Sequence, residues 1–393
     1  MRKKNELNIK RKRNKDLANK KNDNNLNINI IEENINNEYK SNPLNMHFEK
    51  DIINDSFCHI IGNTNNSFIV FKSHDGILYI IYSNKYKSII SYNLIDNKKV
   101  NEIKNSHKYA ITSFKHYQDK NNERDLILTI SSYAKNIKLW NFNNFECLYE
   151  FVKVYFYGEL KSVCFLNDNN KIYILTSNYS ESYDKDNINV YNLKGELEKF
   201  ICKEPILYFE VFYDKKTNIN YIICSIKINP MKLKKMIDVK YIKSYNFNKN
   251  AIYCSYEGVD KIQNMRVIYN DNKYILIGGN SIGVIGIWNF DTGKLLKKFN
   301  AYSKYKSDNF CSICLWNNNY LFISCFDNKE CSKKEKKDNF IKLMDLKNGN
   351  IKMIFYGFEE AITTIKKEII PIYGECLIIQ EKSGKIKLFI NKD

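Results

Sequence analysis

The chain has 393 residues, 44% hydrophobic and 14% aromatic, with a formal net charge of +18. That composition excludes a wholly disordered or collagen-like chain and leaves room for a large core, as one big repeat domain or as two or three ordinary domains. The 29 Tyr, 23 Phe and only 4 Pro favour strand over helix.

Residues 1–45 read as a disordered, basic, Asn/Lys-rich tail. Within residues 1–25, ten Lys/Arg stand against Glu6, Asp16 and Asp23, a net +7. The run KRKRNK (10–15) suits a nuclear localisation signal or a polyanion-binding arm; the alternative is a solvated extension. The start is polar with no apolar signal region, so a cytoplasmic location is expected, with a nuclear one through residues 10–15. The 11 cysteines are then expected as thiols. Apolar runs such as ILYIIY (77–82) and YILIGG (274–279) are strand-sized, and no membrane span is expected.

Beyond the tail one pattern recurs. A strand ending in an aromatic residue and Asn or Asp appears as SIISYNL (88–94), NIKLWNF (136–142), NINVYNL (187–193), YIKSYNF (241–247), VIGIWNF (284–290) and FIKLMDL (340–346). KIKLFIN (385–391) closes the series. The landmarks Tyr92, Trp140, Tyr191, Tyr245, Trp288, Met344 and Phe389 lie 43 to 56 residues apart. Each follows a very apolar strand, such as DLILTIS (125–131) or KIYILTS (171–177), and an earlier one such as AITSFKHY (110–117). A turn and a more polar strand, such as GKLLKKF (293–299), come after. Each unit is thus a four-stranded antiparallel meander whose second strand is buried on both faces, and only packing against neighbouring units supplies a core. The seventh unit lacks a fourth strand, which the stretch HFEKDIINDSFCHII (47–61) is predicted to supply.

IKLWN, GIWNFDTGK and IKLMDLKNG resemble the third strand and following turn of WD40 repeats. The resemblance implies an all-β fold, a seven-bladed β-propeller of four-stranded antiparallel blades over residues 46–393. Departures from the family pattern are clear. Its Gly-His dipeptide survives as Ser106-His107, whereas Gly357-Phe358 and Phe156 stand in that place elsewhere. The tight-turn Asp is replaced by Ala134 in one unit and Ile282 in another. The family's buried Asp-His-Ser/Thr-Trp network is therefore expected to be mostly absent, with packing holding the blades.

Other motifs take structural readings. Cys311 and Cys314 precede Cys325 and Cys331, but they share a strand in which residues three apart face opposite ways, so buried thiols are expected rather than zinc. The histidines His47, His59, His74, His107 and His116 show no ligand spacing, and no metal or cofactor is expected. GGNSIG (278–283) runs from strand to strand, not into a helix, and is a hairpin turn. No pattern nominates catalytic residues, and a non-enzymatic protein is expected. The inserts at 229–240 and 328–338 are expected as surface loops.

The resemblance also implies a platform that holds a protein or peptide on one rim of the ring. The segments approaching the first strands carry Tyr109, Phe156, Tyr157, Tyr256, Tyr302, Tyr305 and Phe358, and a hairpin tip carries Tyr133. Lys87, Lys108 and Lys135 lie among them. Exposed aromatics with interleaved lysines suit an acidic peptide segment. The expectation is a non-catalytic protein–protein interaction scaffold, a monomer or a subunit of a larger complex. The alternative is a basic propeller that binds nucleic acid or another polyanion through its tail and lysine-rich loops.

Overall fold

The computed structural model describes residues 46–54, 68–84, 87–131, 136–151, 159–179, 188–202, 204–226, 241–280, 282–301, 311–325 and 339–391. The basic tail, the two inserts and the candidate rim residues Tyr133, Lys135, Phe156, Tyr157, Tyr302 and Tyr305 lie outside them, as do residues 55–61 of the expected closing stretch.

β1 spans Met46–Ile53. Blade 1 follows with β2 (Phe68–Lys72), β3 (Leu78–Ser83), β4 (Ile89–Asn93) and β5 (Lys98–Ile103). Blade 2 holds β6 (Ser113–Asp119), β7 (Arg124–Ser131), β8 (Asn136–Asn141) and β9 (Glu146–Phe151). Blade 3 holds β10 (Glu159–Asp168), β11 (Lys171–Tyr179), β12 (Ile188–Asn192) and β13 (Leu197–Ile201). Blade 4 holds β14 (Ile206–Asp214), β15 (Ile219–Ile226), β16 (Ile242–Asn246) and β17 (Ala251–Tyr256). Blade 5 holds β18 (Ile262–Asn270), β19 (Lys273–Asn280), β20 (Val284–Asn289) and β21 (Leu295–Asn300). Blade 6 holds β22 (Cys311–Trp316), β23 (Tyr320–Cys325), β24 (Ile341–Asp345) and β25 (Ile351–Phe355). Blade 7 begins with β26 (Ile362–Ile370), β27 (Gly374–Glu381) and β28 (Ile386–Asn391), and β1 is its outer strand. All seven sheets are antiparallel and four-stranded, and together they form a seven-bladed β-propeller.

The aromatic-Asn landmark has a local cause. The Asn or Asp after it folds its side-chain oxygen over the turn between third and fourth strands and accepts backbone N–H groups. Asn93 takes those of Ile95 and Asp96, Asn192 those of Lys194 and Glu196, and Asn289 those of Asp291 and Thr292. Asn141, Asn246 and Asp345 do the same for Asn143, Lys249 and Lys347. A short polar side chain is needed because only it competes with the main chain at that distance. Gly293 completes the blade 5 turn at φ +70°, where an added Cβ would lie 2.1 Å from the Ser255 carbonyl oxygen. Only glycine fits there.

A bulge accompanies each landmark. Opposite Tyr92, Trp140, Tyr191, Tyr245, Trp288 and Met344 the fourth strand carries one extra residue. β1 repeats this opposite Phe389, where Phe48 pairs with Phe389 and Lys50 with Leu388. At this point the closing strand reproduces the bulge of an ordinary fourth strand, and a second irregularity of its own follows between Asp51 and Ile53.

The core is divided among the seams. Seven apolar clusters occur, each shared by two adjacent blades, and one joins Ile378 and Leu388 of blade 7 to Phe68 and Ile80 of blade 1. The ring is closed by packing as well as by β1. Every landmark side chain lies in the seam with the preceding blade, as with Trp140 against Phe71 and Tyr79. Second strands are buried on both faces, β3 along its whole length, because each is covered by a blade on either side.

Candidate functional site

Tyr109 stands in the segment joining β5 to β6 and keeps 43% of its surface exposed. Lys87 and Lys108 flank its ring, with Nζ atoms 5.9 and 5.7 Å from the centroid. The cluster is held from below. Lys87 Nζ donates to the Lys108 carbonyl at 2.7 Å, and the Ser106 hydroxyl donates to the Lys87 carbonyl at 2.7 Å. The result is an aromatic face bordered by two cations, held partly by cation–π attraction. Of the nominated rim residues, the structure brings together Tyr109, Lys87 and Lys108.

Tyr256 and Phe358 do not belong to an exposed rim. Tyr256 ends β17 with no exposed surface; its hydroxyl donates to the Phe290 carbonyl at 2.8 Å and lies 3.1 Å from Ser244 Oγ. Phe358 is buried in the seam of blades 6 and 7, its ring centroid 5.6 Å from that of Phe389. Both precede a first strand, but turning an aromatic ring into a seam removes far more apolar surface from water than leaving it on the rim.

Just before Tyr109, the chain is tied to the blade interior. Thr129 Oγ1 takes the Trp140 indole N–H at 2.8 Å and shares a 2.7 Å hydrogen bond with His107 Nε2. His107 Nδ1 is buried with no hydrogen-bond partner. Burial, with the Lys138 charge nearby, pushes the imidazole down to about 3. The His-Thr-Trp part of the polar network expected to be mostly absent is thus present in blade 2.

The first strands of the blades are the innermost and pack side by side around the ring. Along each, one residue is buried in the seam with the preceding blade and the next turns to the opposite face of the sheet, as period-two alternation demands. The seam residues are Phe68, Phe114, Val163, Phe209, Met265, Ile313 and Ile365. Their successors form a belt, one per blade. Ile69, Lys115 and Cys164 come from blades 1 to 3. Glu210, Arg266, Cys314 and Lys366 come from blades 4 to 7. In register each pairs with a buried apolar residue of the second strand, for example Lys115 with Leu128 and Lys366 with Ile378.

A chamber of about 330 Å³ opens off this belt between β14, β18, β22 and β26, with Tyr208, Asn264, Arg266, Ser312, Lys366 and Glu368 among its walls. Arg266 Nη1 donates to Glu210 Oε2 at 2.7 Å and to the Met265 carbonyl at 3.0 Å, and the Tyr208 hydroxyl donates to the same Glu210 oxygen. Burial pushes the Glu210 carboxyl up, but the Arg266 and Lys115 charges and these hydrogen bonds outweigh it, leaving the group below its usual range. Burial brings Lys366 down to about 8, helped by Lys115 and Arg266, and raises Glu368 to about 7 against the pull of Lys366. Cys314, the zinc-like candidate whose side chain is described, is a buried thiol raised by burial to about 11. Cations therefore outnumber ionised carboxylates at neutral pH.

Sequence reasoning missed this belt. The signal was available: aligning the seven first strands on their buried apolar residue places Lys115, Glu210, Arg266 and Lys366 at one level. Among the described residues no helix is long and apolar enough to cross a membrane. No family model matches the chain, and no curated protein matches its sequence.

Proposed function

We propose that this chain is a diverged WD40-type propeller acting as a non-catalytic protein-interaction scaffold, and that it takes an acidic peptide segment on the rim of blades 1 and 2. The observation that carries the reading is the exposed Tyr109 ring set between Lys87 and Lys108. A rigid aromatic offers area at low entropic cost, and the two ammonium groups select negative charge. The His107, Thr129 and Trp140 contacts support kinship with WD40 repeats, since that family places these residue types together, and they brace the segment that presents Tyr109.

The test is binding of the full chain to an array of acidic, neutral and basic twelve-residue peptides, beside the double variant Tyr109→Ala/Lys108→Ala. Selective binding of acidic peptides is expected, with a loss of about 30-fold in the variant, as for a typical hot spot of about 2 kcal/mol. Equal binding by both proteins would remove the rim reading. Retention of single-stranded DNA that vanishes steeply with salt, with no peptide bound, would favour polyanion binding instead.

A further inference from the structure

We propose that the chamber inside the ring is a binding site for a small phosphate-bearing molecule, held by Arg266, Lys366 and Asn264 of its wall, with Lys115 at the same level of the belt. This goes beyond the rim reading and does not rest on it.

The charge distribution supports it first. Five ionisable side chains meet at this level: Lys115, Arg266 and Lys366 on one side of the ledger, Glu210 and Glu368 on the other. Glu210 is committed to Arg266 and Tyr208. Glu368 is about half protonated near neutrality. Among the described residues Lys115 has neither a hydrogen bond nor an ion pair. Like charges crowded between protein walls raise the free energy of the empty ring. A doubly charged oxyanion offsets that repulsion.

Unspent hydrogen-bonding capacity supports it independently. A guanidinium has five N–H donors in a planar fork suited to phosphate. The Arg266 bonds to Glu210 and the Met265 carbonyl both leave from Nη1, and 46% of the side chain remains accessible. Asn264 is 97% buried in the chamber wall, yet its Oδ1 has no partner. That oxygen calls for a donor, which neither a carboxylate nor a sulfate supplies. Inorganic hydrogen phosphate keeps a P–OH even as the dianion, and a sugar or glycerol phosphate has hydroxyls. A volume of about 330 Å³ stands at the small end of small-molecule sites, enough for a short phosphate ester.

The test is calorimetric titration of the full chain with inorganic phosphate, glycerol phosphate, sulfate and chloride at constant ionic strength. A phosphoserine hexapeptide forms a further arm, distinguishing a free phosphate ester from a phosphate presented by a protein. At pH 6.5 phosphate or its ester is expected to bind at least tenfold more tightly than sulfate, and chloride not at all. Sulfate keeps its charge across this range, so its affinity reads the protein groups. It should fall about tenfold from pH 6.5 to 9, as Lys366 loses its proton and Glu368 ionises. Lys115→Met and Lys366→Met should each weaken phosphate at least tenfold, and Lys366→Arg should restore it. With no anion present both Met variants should melt at or above the wild-type temperature, because each relieves like-charge crowding. Two results overturn the proposal: a phosphate response no larger than that to chloride, or phosphate binding untouched by both Met substitutions.

Discussion

Blades 2 and 5 carry tryptophan at the same landmark, and they tie it down differently. In blade 2 the Trp140 indole N–H ends on the Thr129 hydroxyl, which His107 also contacts. In blade 5 the register places Gly278 where Thr129 stands, since Leu276 pairs with Trp288 as Ile127 pairs with Trp140. Without a side chain there, the Trp288 ring lies against Gly278 and Gly286. A Cβ on Gly286 would come within 2.2 Å of it. Its indole N–H then reaches the Glu257 carbonyl at 2.7 Å. Glu257 belongs to the segment leading into blade 5, the counterpart of the segment that supplies His107. Both blades join the incoming segment to the third-strand tryptophan, one through side chains and the other through the main chain. The requirement is the tie, and the atoms that make it are interchangeable.

The largest break in this comparison is expected from Trp288→Ala. The ring is fully buried in the seam of blades 4 and 5, against Tyr256, Met265 and Phe290, and truncation should cost about 3–5 kcal/mol in urea unfolding. A loss below about 1 kcal/mol would mean that blade 5 does not depend on its tryptophan. Next comes Thr129→Val, which keeps the shape but leaves the Trp140 N–H and His107 Nε2 unpaired in a site with no exposed surface at Thr129. About 2–3 kcal/mol is expected, most of it the desolvation of the orphaned groups. Insensitivity to this change would show that packing alone holds blade 2 as well.

The smallest effect separates the two ties by pH. His107 titrates at about 3 in the folded protein against an ordinary 6.5. Between these values the unfolded chain binds the extra proton, so stability falls as pH falls through that window. Blade 5 has no histidine to contribute such a slope. The stability advantage of wild type over His107→Gln at pH 8 should therefore shrink by about 1.4 kcal/mol at pH 5.5. A gap that stays constant between the two pH values would assign His107 no part in the blade 2 tie.

The blade comparison also explains what was legible in the sequence. The landmark aromatics and their Asn or Asp were visible because one side chain does one job in each blade: the turn needs that oxygen. The tie of blade 5 left no residue pattern, since a carbonyl group belongs to every amino acid. Blade identity is thus carried partly by atoms that sequence comparison does not see. The rim was only partly legible. Position before a first strand was enough to nominate Tyr109 and Tyr256 alike, but not to tell that one ring stands in solvent and the other closes over Phe290. The channel belt escaped notice because its members share a place and not a chemistry. An isoleucine, two cysteines, two lysines, an arginine and a glutamate do not read as a repeat until strand alternation lines them up.

The closing strand has a consequence for biosynthesis. β1 leaves the ribosome ahead of every other described strand, and its partner β28 follows after almost the whole chain. At ~5–20 residues per second that interval is on the order of half a minute. Throughout it β1 has no sheet to join, and Phe68 and Ile80 of blade 1 lack the blade that will cover them. An unpaired strand beside bare apolar surface is a template for pairing with another nascent chain. A nascent chain stalled before β28 would keep that hazard for as long as it survives.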